Sequence, residues 1–145
     1  MADAPRILIV TSRYYAHIAA ELEAGVIEAL DAAGAEHEFL EVPGAFELPG
    51  AIAMAAGMEE YDGYIALGCV IRGETSHYDL ICSEVARGLM DLSLHGIPVA
   101  FGVLTVENEA QAKVRADRKQ KNKGREAVDA VLRMIELSHH FSEEA

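Results

Sequence analysis

Four times along the chain a short apolar, β-rich run gives way to a stretch of helical spacing, and this alternation constrains the fold most. "RILIVTS" (Arg6–Ser12), "HEFLEV" (His37–Val42), "GYIALGCVI" (Gly63–Ile71) and "IPVAFGVLT" (Ile97–Thr105) read as strands. His17–Ala33 carries Ile18, Leu22, Val26, Ile27 and Leu30 at helical spacing, with Gly34 as a stop. Glu47–Gly57 reads as an Ala-rich helix with Pro49 in its first turn, where a missing N–H is tolerated. His77–His95 reads as a long helix whose apolar face holds Leu80, Ile81, Val85, Leu89, Leu92 and Leu94. A helix from Glu107 to about Arg118 precedes a break, and a last helix starts between Asn122 and Arg125 and runs to about His139. The third run is apolar enough to be covered on both faces. The pattern predicts an α/β fold: a three-layer α/β/α sandwich with a four-stranded parallel sheet and right-handed crossovers. One domain over residues 1–145 suits the length, with flexible ends at about 1–5 and 140–145.

Charge narrows the partners. The chain has 12 Lys and Arg against 24 Asp and Glu, a formal net charge of −12. A field of that sign repels nucleic acid and anionic lipid. It repels a phosphorylated metabolite as well, unless cations gather locally. Seven of the 12 cations lie between Lys113 and Arg125. That run is either a solvated helix face or an anion site in an acidic protein. No apolar run approaches the ~20 residues of a membrane span. "MADAPRILIV" lacks a basic region and a cleavage site, so it reads as mature sequence. Cys69 and Cys82 have no metal-type spacing and fit reduced thiols in the cytoplasm.

In open parallel sheets ligands sit beyond the carboxyl ends of the strands. "TSRYY", "VPGAFELPG", "VIRGETSHYD" and "LTVEN" follow the four strands and are expected to meet on one edge. Tyr14 has two readings: a ring stacked on a planar heterocycle, or a ring packed over the sheet edge. Glu47 either accepts hydrogen bonds from a polyol or amide, or offsets the dipole of the helix that follows. Glu74, Thr75 and Ser76 bring hydroxyls and backbone N–H groups to a helix start, which suits an anion. Thr75 or Ser76 is the expected cap. His77 is either a proton carrier beside that anion or a surface histidine.

Familiar sites are missing from the sequence. There is no GxGxxG after the first strand, no GxxxxGK[ST], no GxSxG and no cluster with metal-ligand spacing. The chemistry expected is therefore acid–base and positional, with substrates supplying their own reactivity.

In order, "SRYY", "VPGAFELP", "GCVIRGETSHYD", "FGVLTVENEAQA" and "NKG" resemble the lumazine synthase family, over about Arg6 to Ile135. The resemblance implies a flavodoxin-like architecture. It also implies condensation of 5-amino-6-(D-ribitylamino)uracil with 3,4-dihydroxy-2-butanone 4-phosphate to 6,7-dimethyl-8-ribityllumazine, in riboflavin biosynthesis, without metal or organic cofactor. Tyr14 takes the place of the aromatic that stacks on the pyrimidine. Ala45, Phe46 and Glu47 hold the ribityl chain. Cys69, Val70 and Ile71 present backbone groups to the uracil ring. Glu74 and Thr75 bind the butanone phosphate, His77 shuttles protons, Arg115 grips the phosphate and Lys123 supports it, with Glu126 behind them. Phe101 reaches the pocket from a neighbouring subunit, since the family builds its sites between members of a homopentamer.

Two departures stand out. Tyr14 and Tyr15 replace the more usual Phe-Asn, and Asp117 and Lys121 occupy positions that are glycine in many shell-forming members. The second departure favours a free pentamer over a shell of roughly 60 subunits. Two rivals keep the fold: a low-activity paralogue that binds flavin or lumazine, and one kept as an oligomeric scaffold.

Overall fold

The computed structural model describes residues 4–143. Strands β1 (Arg6–Ser12), β2 (Glu36–Val42), β3 (Gly63–Ile71) and β4 (Val99–Val106) form one parallel sheet in the order β2-β1-β3-β4. Helices α1 (Ala16–Ala33), α2 (Leu48–Ala56), α3 (His77–Leu94), α4 (Glu109–Ala116) and α5 (Lys123–Glu143) cover it. A single 3-10 turn, Ala45–Glu47, leads into α2.

The pleat explains why the strands read as continuous apolar runs. Successive side chains leave a strand on opposite faces. Ile7, Ile9, Ile65 and Leu67 go to one face, beneath α1, α4 and α5. Leu8, Val10, Tyr64 and Ala66 go to the other, beneath α2 and α3. Both faces are thus apolar and covered, giving the expected three layers. Ile7, Ile9, Ile65 and Leu67 are fully buried, and each contributes about 1.5–3 kcal/mol by leaving water.

Helix ends follow local chemistry. Gly34 closes α1 in the left-handed conformation, φ 71°, and donates its N–H to the Asp31 carbonyl at 3.2 Å. The helix before the break ends at Ala116. Asp117 then organises the turn: its carboxylate accepts from the Lys119 N–H and the Gln120 side chain, both at 2.8 Å. The last helix runs beyond the expected His139 to Glu143, because a nucleated helix propagates through polar residues at little cost.

Leu80 and Leu94 do not join Val85 and Leu89 in the core: they are 59% and 77% exposed. At about 100° per residue they lie nearly opposite Val85 and Leu89 on the helical wheel. The α3 helix therefore has two apolar stripes, and this chain covers one.

Candidate active site

The order β2-β1-β3-β4 makes successive connections leave β1 on opposite sides, so a crevice opens beyond its carboxyl end. A cavity of about 680 Å³ occupies it. Three of the four expected segments meet there. β1 ends in Ser12 and is followed by Tyr14 and Tyr15; after β2 come Pro43, Gly44, Ala45, Phe46 and Glu47; β3 and α3 add Cys69, Val70, Ile71, His77, Leu80 and Ile81.

Each wall has its own origin. Tyr14 is 76% exposed and stands at the mouth. Arg13 donates to Glu23 of α1 at 2.7 Å, and the Thr11 hydroxyl donates to the same carboxylate at 2.9 Å, which ties this loop down. Gly44 is extended, and the 3-10 turn behind it presents Phe46 and Glu47 outward. The Glu47 backbone N–H donates to the Gly44 carbonyl at 3.2 Å, while its carboxylate makes no hydrogen bond or ion pair among the described residues and is free to accept. His77 is the first residue of α3 and is exposed. Its backbone N–H donates to the Thr75 hydroxyl at 3.3 Å. Ser76 is the N-cap residue by position and makes no side-chain cap bond. Burial, and then the charge of Glu109, pushes the Cys69 thiol up to about 11. It stays protonated at neutral pH and is no nucleophile.

The fourth segment goes elsewhere, because β4 is at the sheet's outer edge. Leu104 and Thr105 of that segment, with Phe101, Gly102 and Val103 ahead of it on β4, line a separate cavity of about 380 Å³ with Arg115, Lys123 and Glu126. Arg115 is half-buried, and one of its nitrogens donates to the Gln111 carbonyl at 3.1 Å. Lys123 pairs with Glu126 at 3.1 Å. Two cations, Arg115 and Lys123, line this cavity, and Arg115 makes no ion pair among the described residues. Arg118, by contrast, is bound to Glu21 at 2.9 Å and Glu28 at 3.0 Å on α1. A wider groove of about 1100 Å³ runs past Arg118, with Lys113, Lys119 and Arg125 also in its lining.

Comparison with known proteins settles the family. The family model described as 6,7-dimethyl-8-ribityllumazine synthase matches residues 4–139. The chain belongs to the lumazine synthase family. It is 53% identical over 137 residues to the 6,7-dimethyl-8-ribityllumazine synthase of Novosphingobium aromaticivorans, covering 94% of this chain and 99% of that one. The protein of the same name from Sphingopyxis alaskensis is 51% identical over 135 residues, 93% and 96% of the two chains. That of Zymomonas mobilis is 49% identical over 137 residues, 94% and 99%.

For this lumazine synthase family member, the chain divides the sequence-derived site into two groups. Tyr14, Ala45, Phe46, Glu47, Cys69, Val70, Ile71 and His77 share the first cavity. Phe101, Arg115 and Lys123 share the second. Glu74 and Thr75 line neither. Arg72 accounts for their position, since it clamps that turn to Glu107 at 2.6 Å and to Asp79 at 3.3 Å. Sequence reasoning gave no site role to Tyr15, Leu80 or Ile81. Adjacency to Tyr14, and the one-turn spacing of Leu80 and Ile81 from His77, were the available signals.

Proposed function

We propose that this lumazine synthase works through composite sites, each joining the first cavity of one subunit to the second cavity of its neighbour in a homopentamer. The chain condenses 5-amino-6-(D-ribitylamino)uracil with 3,4-dihydroxy-2-butanone 4-phosphate in riboflavin biosynthesis. The observation that carries the composite reading is the separation of His77 from Arg115 into different cavities of one chain. Exposed apolar residues support assembly: Leu80, Met90 and Leu94 on α3, Met54 on α2 and Phe101 on β4 are each about half exposed or more. A head-to-tail contact that closes into a ring puts the same two unlike surfaces together at every interface.

The chemistry then assigns roles. The pyrimidine stacks on Tyr14. Its ribityl chain runs past Ala45 and Phe46 to the free carboxylate of Glu47. Backbone groups of Cys69, Val70 and Ile71 meet the edge of the ring. The butanone phosphate lies between the Glu74–Thr75 turn and the neighbour's Arg115, with Lys123 released from Glu126 to the incoming phosphate. The 5-amino group attacks the ketone and water leaves, giving an imine. Removal of the adjacent proton expels phosphate. The ribitylamino nitrogen then closes the ring on the remaining carbonyl, and a second water leaves. His77 carries the protons. Arg115 stabilises the departing phosphate by charge-assisted hydrogen bonds. The two free thiols and the acidic surface suit a cytoplasmic enzyme.

Lumazine fluorescence with both substrates tests this. Arg115→Ala is expected to lower kcat/KM by about 100-fold or more, as for other transition-state charge donors. His77→Ala is expected to be milder, because water replaces part of a proton carrier. Equal activity in all three proteins would remove the assignment.

A further inference from the structure

Tyr14 stands far into solvent, and a side chain so exposed samples several rotamers unless something holds it. Tyr15 does. The two rings are 5.0 Å apart between centroids with planes at 76°, an edge-to-face pair. Tyr15 is the anchored member. It is half-buried, packs against the core beneath α1 and lines the same cavity. It also precedes the first residue of α1, and its carbonyl accepts the Ala19 N–H at 2.9 Å. Its backbone is thus fixed to the helix, and the Arg13–Glu23 bond at 2.7 Å fixes the approach from the other side.

On the reading that the pyrimidine stacks on Tyr14, we infer that Tyr15 is a positioning residue whose anchored ring edge holds Tyr14 ready for the planar substrate. A ring ordered before binding does not have to be ordered during it, and affinity rises accordingly. The effect is confined to the substrate that touches Tyr14. The butanone phosphate does not, so its binding is indifferent to Tyr15. The ring does this work, since burial keeps the phenol protonated and its hydroxyl neutral.

Steady-state kinetics with each substrate varied in turn test the inference, on wild type, Tyr15→Leu, Tyr15→Phe, Tyr14→Leu and the double variant Tyr14→Leu/Tyr15→Leu. Tyr15→Leu is expected to raise KM for the ribitylaminouracil about three- to tenfold, the range for an aromatic pair. KM for the butanone phosphate and kcat stay within about twofold of wild type. Tyr15→Phe recovers most of the loss. In the Tyr14→Leu background Tyr15→Leu adds nothing further, because the partner ring is gone. The inference is overturned if both KM values rise together, if kcat alone falls, or if the double variant adds the two losses in full. Should Tyr15→Leu fail to fold, Tyr15→Met fills the space without a ring edge and is judged by the same outcomes. A wild type that makes no lumazine would instead bring down the catalytic reading, and this inference with it.

Discussion

Arg72 sits in the polar turn after β3 and lines neither cavity. Its guanidinium binds Glu107 and Asp79 and lies 4.3 Å from the centroid of the Tyr78 ring, so it braces the turn after β3. Its partners include a residue on the loop after β4, which no local reading of "VIRGETSHYD" reveals. Arg118 and Arg115 make the same point. Three residues apart in sequence, one is tied to Glu21 and Glu28 on α1 and the other faces a cavity. Residue types were legible in the sequence; which cation is free was decided by partners about 90 residues away. Cys69 carries a pH dependence. The folded state holds its proton up to about 11, against an ordinary thiol value of 9.0, chiefly through burial. Below pH 9 both states keep the proton. As pH climbs past 9 the unfolded state releases it first, so folded-state stability falls until the folded thiol also ionises near 11. Calorimetry between pH 8 and pH 10.5 is expected to show Tm dropping more steeply in wild type than in Cys69→Ala. Parallel slopes would contradict the assignment. Some alkaline decline persists in the variant, since burial raises Tyr15 and Tyr64 as well.

At the level of elements, "NKG" was legible as a motif and not as a mechanism. Asn122 has φ 43°, in the left-handed region that Asn tolerates better than most residues. Its side-chain oxygen accepts the Arg125 N–H at 3.3 Å and so starts α5. Gly124 is then pressed against α1. A Cβ there would lie 2.5 Å from the Leu22 carbonyl oxygen and 3.0 Å from the Val26 nitrogen. Both are backbone atoms that no rotamer change moves, so Gly124→Ala forces the helices apart. Overpacking of this kind costs about 1–3 kcal/mol, which urea unfolding should register as a lower midpoint. An unchanged midpoint would mean that the two helices yield freely. The shift also reaches Lys123, which couples the motif to the cationic cavity. The strands were legible because buried parallel strands read as unbroken apolar runs. The break between α4 and α5 was legible too, but not how it is built, since the bend from Asp117 to Asn122 rests on side chain-to-backbone hydrogen bonds rather than on periodicity. The second apolar stripe of α3 was also hidden, because periodicity marks apolar faces without saying what covers them.

For the whole molecule, the two cavities suggest a test that depends on neither fluorescence yield nor protein size. If each site joins the heterocycle cavity of one subunit to the cation cavity of the next, defects in opposite halves complement each other. Ala45→Trp fills the first cavity, and Arg115→Ala empties the second of its guanidinium. Homo-oligomers of either variant should be nearly inactive. Co-assembled at equal amounts, a quarter of the interfaces, to a rough statistical estimate, pair an intact first cavity with an intact second one. Activity should therefore return to about a quarter of wild type in mixed rings, and only after subunits exchange. A chain that carried a complete site would gain nothing from mixing, since every subunit would keep its own defect. Light scattering on the same samples reads the assembly itself. A free pentamer and a shell of roughly 60 subunits differ about twelvefold in mass. The free pentamer is expected, because Asp117 and Lys121 put charge on the bend between α4 and α5, at the positions where the resemblance to shell-forming members leads one to expect glycine. Each chain carries a net charge of −12, so pentamers brought together in a shell repel one another. Raising the salt concentration screens that repulsion, so any larger species should gain population as ionic strength increases.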